Sequence, residues 1–148
     1  MEPRLPFVDE HATEIPASRS AVWEAVRSVV RRDLGGAPPK LFLDVWQLQP
    51  RTRRGDWTGS VEVGDTLPGF AVREATPGER LELRGQHRFS RYALILELDE
   101  IAGGTRVRAQ TWAEFPGILG RGYRAMVIGT RMHRLVTRTL LRRVAERA

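Results

Sequence analysis

The sequence predicts one α+β domain in which a curved antiparallel sheet wraps around a long C-terminal helix. Three features of the 148 residues carry that expectation. Apolar and polar side chains alternate from Gly69 to Ala113 across tight turns, the pattern of a meander of hairpins. A strand pattern followed by a helix pattern precedes it. A helical apolar period follows it, from Ile118 to Arg147.

In chain order, Phe7 to Ile15 alternates weakly and predicts a first strand that Pro16 ends. Ser18 or Ser20 supplies an N-cap. Val22, Trp23, Val26, Val29 and Val30 then recur at helical spacing through Arg32, until Gly35-Gly36 and Pro38-Pro39 close the helix. Lys40 to Gln49 predicts a strand, Arg51 to Gly55 a polar loop, and Trp57 to Asp65 a further strand.

The meander sets a register. A turn at Pro77-Gly78 brings Val72 near Leu83 and Phe70 near Gly85. A turn at Phe89-Ser90 brings His87 near Tyr92, Gly85 near Leu94 and Leu83 near Leu96. A turn at Gly103-Gly104 brings Leu98 near Val107, Leu96 near Ala109, Leu94 near Thr111 and Tyr92 near Ala113. All three turns put the same residues on one face. The other face carries Glu82, Arg84, Glu97, Arg106 and Arg108, so the first is the concave one.

On the C-terminal helix, Leu119, Tyr123, Met126, Thr130 and His133 share a face with Thr137, Leu140, Leu141 and Val144. Arg121, Arg124, Arg131, Arg138, Arg142 and Glu146 take the opposite side. The net charge of +6 comes from this segment: residues 117–148 hold eight arginines and one acid, and the rest is nearly balanced. Twenty-three of the twenty-four basic residues are arginine, a bias that suggests a GC-rich, bacterial genome. The arginine face is thus a solvated helix face. No aromatic residues interleave its arginines as in single-strand nucleic-acid binders, so no nucleic-acid partner is expected.

Other chemistries lack their motifs. There is no cysteine, no Gly-x-Gly-x-x-Gly, no Walker loop and no Gly-x-Ser-x-Gly. His11, His87 and His133 lack paired-ligand spacing, so neither a metal nor a cofactor is expected. The apolar runs are too short to span a bilayer and the N-terminus lacks a signal-peptide core, so a cytoplasmic location is expected. A homodimer stays open.

Three stretches carry a family resemblance. Glu14-Ile-Pro-Ala-Ser-Arg-Ser-Ala-Val-Trp23 is similar to the first strand and helix of the START/Bet v 1-like (SRPBCC, polyketide cyclase/dehydratase) superfamily. Val63-Gly-Asp65 is similar to its turn before the central strands, and Gly120-Arg-Gly-Tyr-Arg-Ala-Met126 to the opening of its last helix. The resemblance covers nearly the whole chain. It implies a helix-grip fold, one domain over residues 1–148, and a role among lipid carriers, hormone receptors or aromatase/cyclases.

A strongly bent sheet leaves a gap beneath one helix, and inward side chains of both line it. The expected partner is a small hydrophobic molecule. His87, Tyr92, Leu94, Thr111, Tyr123, Met126, Thr130 and His133 are the candidate binding residues. His87 and Tyr92 face each other at the end where the last helix begins, and Tyr123 lies one turn in. His133 is about 21 Å beyond Leu119 along the axis and faces another part of the gap. Two readings of the polar residues stand. In one they are packing groups bonded to nearby backbone. In the other, a cyclase/dehydratase-like enzyme, His87 moves a proton on a bound carbonyl compound while Tyr92 or Tyr123 steadies the oxygen.

Overall fold

The computed structural model describes the backbone of residues 5–57, 60–129 and 132–148, and their side chains other than those of 118–119, 126–129 and 132–133. The elements run β1 (Phe7–Ile15), α1 (Arg19–Leu34), α2 (Lys40–Trp46), β2 (Thr66–Leu67), β3 (Phe70–Thr76), β4 (Arg80–His87), β5 (Ser90–Ile101), β6 (Gly104–Glu114), α3 (Gly117–Gly129) and α4 (Met132–Arg147). Among the described residues, six strands form one curved antiparallel sheet in the order β1-β6-β5-β4-β3-β2, and the C-terminal helical segment lies against it. This is the predicted α+β, helix-grip architecture.

Local chemistry explains the element boundaries. The Ser18 side chain accepts a hydrogen bond from the Ala21 N–H at 3.2 Å and so caps α1. Gly78 and Gly103 sit at φ 75° and 82° in the hairpin turns, a region that glycine enters without strain. The core lies between the sheet and the helices α1 and α4. Val22, Val26, Val29 and Val30 of α1 and Val144 of α4 are sealed against Leu81, Leu83, Leu96 and Val107. The concave face is therefore shared by two helices. Trp57 closes the core and donates its indole N–H to the Arg54 and Thr66 carbonyls.

The opposite face is ionic. Arg80 pairs with Glu74, Glu82 and Glu97, while Arg108 pairs with Glu97 at 2.5 Å and with Asp99 at 2.8 Å. On the C-terminal segment, Thr137, Leu140, Leu141 and Val144 are buried, and Arg121, Arg124, Arg138, Arg142 and Glu146 are exposed. No helix of the described residues is long and apolar enough to cross a membrane.

Four expectations need correction or completion. Lys40 to Gln49 is not a strand: Lys40–Trp46 is the helix α2, entered from Pro39 and ended by Gln47 at φ 52°. Its Leu41, Phe42 and Val45 face solvent, and a short apolar run does not by itself distinguish strand from helix. Trp57 to Asp65 forms no strand over its described residues; the strand that follows is Thr66–Leu67, paired with β3, and Gly64 and Asp65 bond to the Val72 backbone. The β4–β5 register differs by two residues: His87 pairs with Ser90, Gly85 with Tyr92 and Leu83 with Leu94. The turn there holds two residues, Arg88 and Phe89, instead of four. An even shift keeps every side chain on its face. The single C-terminal helix is described as α3 and α4, with residues 130–131 between them outside the described set. The β5–β6 pairs and the Val72–Leu83 pair are as expected, while a bulge at Arg73 shifts the rest of β3.

Gly85 lies where the backbone of residue 69 crosses β4. A Cβ on Gly85 would stand 1.7 Å from the Gly69 carbonyl oxygen. Gly85→Ala should therefore destabilise the fold by about 3 kcal/mol in urea unfolding. Gly122→Ala, where a Cβ meets nothing within 4 Å on α3, should add about 0.5 kcal/mol. Equal unfolding midpoints for the two variants would contradict the close approach.

Candidate functional site

A cavity of about 740 Å³ lies between the sheet and the helices. That volume suits a small organic molecule. Its sheet wall is built by register: Leu94 pairs with Thr111 and Tyr92 with Ala113, so two adjacent strands present four contiguous side chains inward. Phe70 and His87 extend this wall across β3 and β4. Tyr123 of α3 and Leu135, Val136 and Leu140 of α4 form the helix wall. Leu135 and Val136 are 67% and 60% exposed, so the cavity opens along an apolar rim.

Of the candidate binding residues, His87, Tyr92, Leu94, Thr111 and Tyr123 line this cavity. The Met126, Thr130 and His133 side chains lie outside the described residues. The reading of the sequence misses Asp33 and Arg143, whose 2.8 Å ion pair ties the end of α1 to α4 on the cavity wall. No local signal joins residues so distant in sequence. It also misses Trp46, because that residue belongs to the segment expected as a strand.

Rings crowd one end of the site. The His87 imidazole lies 4.9 Å from the Tyr123 ring and 5.8 Å from the Tyr92 ring, centroid to centroid. Tyr123 stacks on Phe89 at 5.5 Å, and Trp46 stands edge-on to His87, Phe89 and Tyr123. Edge-to-face and offset contacts of this kind add to simple burial. They fix the α2 end against the β4–β5 hairpin, where the Arg88 N–H also donates to the Trp46 carbonyl at 2.8 Å.

His87 is fully engaged. Its Nδ1 accepts the Phe89 N–H at 3.1 Å, so the proton of the neutral ring sits on Nε2, which lies 2.9 Å from the Ser90 hydroxyl oxygen. Burial lowers its pKa from the ordinary value of 6.5. Protonating Nδ1 would also set two N–H donors against each other. The Tyr92 hydroxyl donates to the Gly69 carbonyl at 2.7 Å. Burial, and then the neighbouring Tyr123, pushes the Tyr92 pKa well above its ordinary value, and burial alone raises that of Tyr123. Both phenols are neutral donors at physiological pH. The Tyr123 and Thr111 hydroxyls have no hydrogen-bond partner among the described residues, which leaves two polar groups for a ligand.

No protein-family model matches the chain, and no curated protein matches it in sequence. Solved structures do. TTHA0849 from Thermus thermophilus superposes with a TM-score of 0.59 at 19% identity, over 96% of each chain. Mll3558 from Rhizobium loti superposes with a TM-score of 0.56 at 18% identity, over 95% of each chain. DynU16, encoded in the dynemicin biosynthetic locus, gives a TM-score of 0.50 at 19% identity over 93% of this chain, which spans 45% of DynU16. At these identities the likeness is one of fold.

The His87 geometry makes a pH prediction. A histidine whose pKa is lower in the folded state stabilises the fold fully above 6.5, and loses that contribution as pH falls from 6.5 to the folded value. The urea midpoint should therefore drop more steeply between pH 7.5 and 5.5 in the wild type than in His87→Gln. Parallel pH profiles would mean that His87 is not held neutral.

Proposed function

We propose that the chain binds a small, mostly apolar and uncharged molecule in the cavity between the sheet and the C-terminal helices. The carrying observation is the cavity itself: a largely apolar space in which the Tyr123 and Thr111 hydroxyls have no partner among the described residues. Buried polar groups favour partners that complete their hydrogen bonds, so the ligand should carry at least one acceptor. The helix-grip architecture and the resemblance at Glu14–Trp23, Val63–Asp65 and Gly120–Met126 support placing the chain in the START/Bet v 1-like superfamily. The occurrence of one fold neighbour, DynU16, in a biosynthetic locus is compatible with a ligand of secondary-metabolite size.

The cyclase/dehydratase-like alternative asks His87 to exchange a proton with the ligand. Both of its ring nitrogens already serve the β4–β5 turn, and no free lone pair of the neutral ring faces the cavity. The Tyr92 phenol proton is already given to the Gly69 carbonyl, which leaves the Tyr123 hydroxyl as the phenol able to polarise a ligand carbonyl. Among the described residues His87 is held by the turn and Asp33 by Arg143, so that polarisation favours holding a ligand.

Native mass spectrometry of the purified protein should detect a co-purified small molecule. A neutral fluorescent probe such as Nile red should bind saturably to the ligand-free protein. Thr111→Trp, which fills the cavity from β6, should weaken that probe by about tenfold or more while the protein remains folded. Unchanged probe affinity in a folded Thr111→Trp protein would place the binding elsewhere and overturn the proposal.

A further inference from the structure

We infer that α2 and the basic start of α3 form a surface that docks on an anionic lipid bilayer. No residue of α2 is buried. Leu41, Phe42 and Val45 are 74%, 44% and 50% exposed. Val45 stands four residues from Leu41 and three from Phe42, so the three side chains are neighbours on the helix surface. A contiguous exposed apolar group, unlike scattered single residues, marks a contact surface. The helix is anchored from its other side. Trp46 stands edge-on to the rings of His87, Phe89 and Tyr123, and its carbonyl accepts the Arg88 N–H. Phe42 lies beside Trp46, with 5.8 Å between ring centroids, and Leu41 and Val45 turn to solvent.

The same end of the molecule is cationic. Lys40 opens α2, and the exposed Arg88 reaches the end of that helix, where its guanidinium donates to the Val45 carbonyl at 3.3 Å. Arg121 and Arg124 are exposed on α3 on either side of Tyr123, whose ring centroid is 5.8 Å from that of Trp46. Lys40, Arg88, Arg121 and Arg124 form no ion pair among the described residues. The single carboxylate of α2, Asp44, is neutralised by Arg51 at 2.5 Å. Glu114, at the end of β6, lies across from Arg91 on the β5–β6 ladder.

Size and charge together choose the partner. A stable protein interface buries about 800 Å² on each side and is depleted of lysine at its centre. Three side chains of a seven-residue helix supply only a small part of that area. A bilayer asks less: apolar side chains that enter the headgroup boundary, and cations that meet anionic lipids. The cations need not converge on one group, because attraction to a charged surface acts over about 10 Å. A nucleic acid would use the cations and leave the apolar residues in water. Docking brings the end of the cavity that holds His87 and Tyr123 toward the lipid, and the surface itself does not depend on what the cavity holds.

The test is co-sedimentation of the full chain with vesicles of phosphatidylcholine alone and of phosphatidylcholine mixed with phosphatidylglycerol, at low and at high salt. The chain should bind the mixed vesicles, bind the neutral ones about tenfold more weakly, and lose affinity as salt rises. Leu41→Ser with Val45→Ser, both at exposed positions, should weaken binding by about tenfold. Arg121→Gln with Arg124→Gln should weaken it by about tenfold or more, since each cation near the surface contributes about fivefold. Arg138→Gln with Arg142→Gln, on α4, should change it by about twofold or less. Thr111→Trp should keep full vesicle binding even where it abolishes probe binding in the cavity, so the two proposals fail separately. Equal binding to the two kinds of vesicle, unchanged binding in the α2 double variant, or equal losses in the two arginine double variants would each overturn the assignment. So would a dimer in sedimentation velocity that Leu41→Ser with Val45→Ser returns to monomer, because the face would then belong to a second copy of the chain.

Discussion

Side chains alternate across the sheet with a period of two, and each hairpin must hand that phase intact to the next strand. An odd slip anywhere would carry Leu83, Leu96 and Val107 to the solvent face and bring Glu82, Glu97 and Arg108 inward. Burying those charges unpaired would cost several kcal/mol apiece. The ionic network of Arg80 and Arg108 on the outer face and the apolar core on the inner face are thus two consequences of one constraint. The cavity depends on it as well. Leu94, Thr111, Tyr92 and Ala113 form a continuous wall only because the β5–β6 pairing keeps all four in phase.

Alternation predicts a face and not a partner, which explains what the sequence discloses and what it hides. The Gly103 turn fixes the β5–β6 register residue by residue, because a glycine at positive φ marks the turn's position. The β4–β5 turn carries no glycine. The His87 ring holds it instead, through the Phe89 N–H and the Ser90 hydroxyl. A side-chain lock of this kind leaves no compositional trace, so two registers that differ by two residues look equally good in sequence. The segment 40–46 shows the same limit in another form. Its apolar residues do not segregate into a buried face, since Leu41, Phe42 and Val45 are exposed, and neither periodicity wins.

The candidate site was legible to the extent that it follows from phase. His87, Tyr92, Leu94 and Thr111 share one face of the sheet by alternation, and Tyr123 comes to them because α3 starts where β6 ends. The Asp33–Arg143 pair and Trp46 depend instead on how separate elements dock. Arg143 follows Leu140 by one turn and sits at the border of the apolar stripe, so its position on the helix is visible while its partner is not. Docking is set by packing among α1, α4 and the sheet, and no local pattern encodes it.

Desolvation then narrows what the cavity accepts. An ionised group entering an apolar enclosure loses several kcal/mol unless a counter-charge receives it. The described cavity wall offers one cation, Arg143, and that cation already faces Asp33 at 2.8 Å. An anionic ligand would have to displace Asp33, and a cationic one would have to displace Arg143. The first exchange strips the partly buried Asp33 carboxylate of its 2.8 Å partner, and either one breaks the tie between α1 and α4. A neutral molecule meets neither cost and gains the donors of Tyr123 and Thr111, with Tyr123 kept protonated by the same burial that shapes the site. The aromatic crowd around His87 and Tyr123 adds flat, polarisable surface at that end. Charge and ring geometry therefore favour the same ligand: uncharged, mostly apolar, and carrying an acceptor at the end that reaches the hairpin.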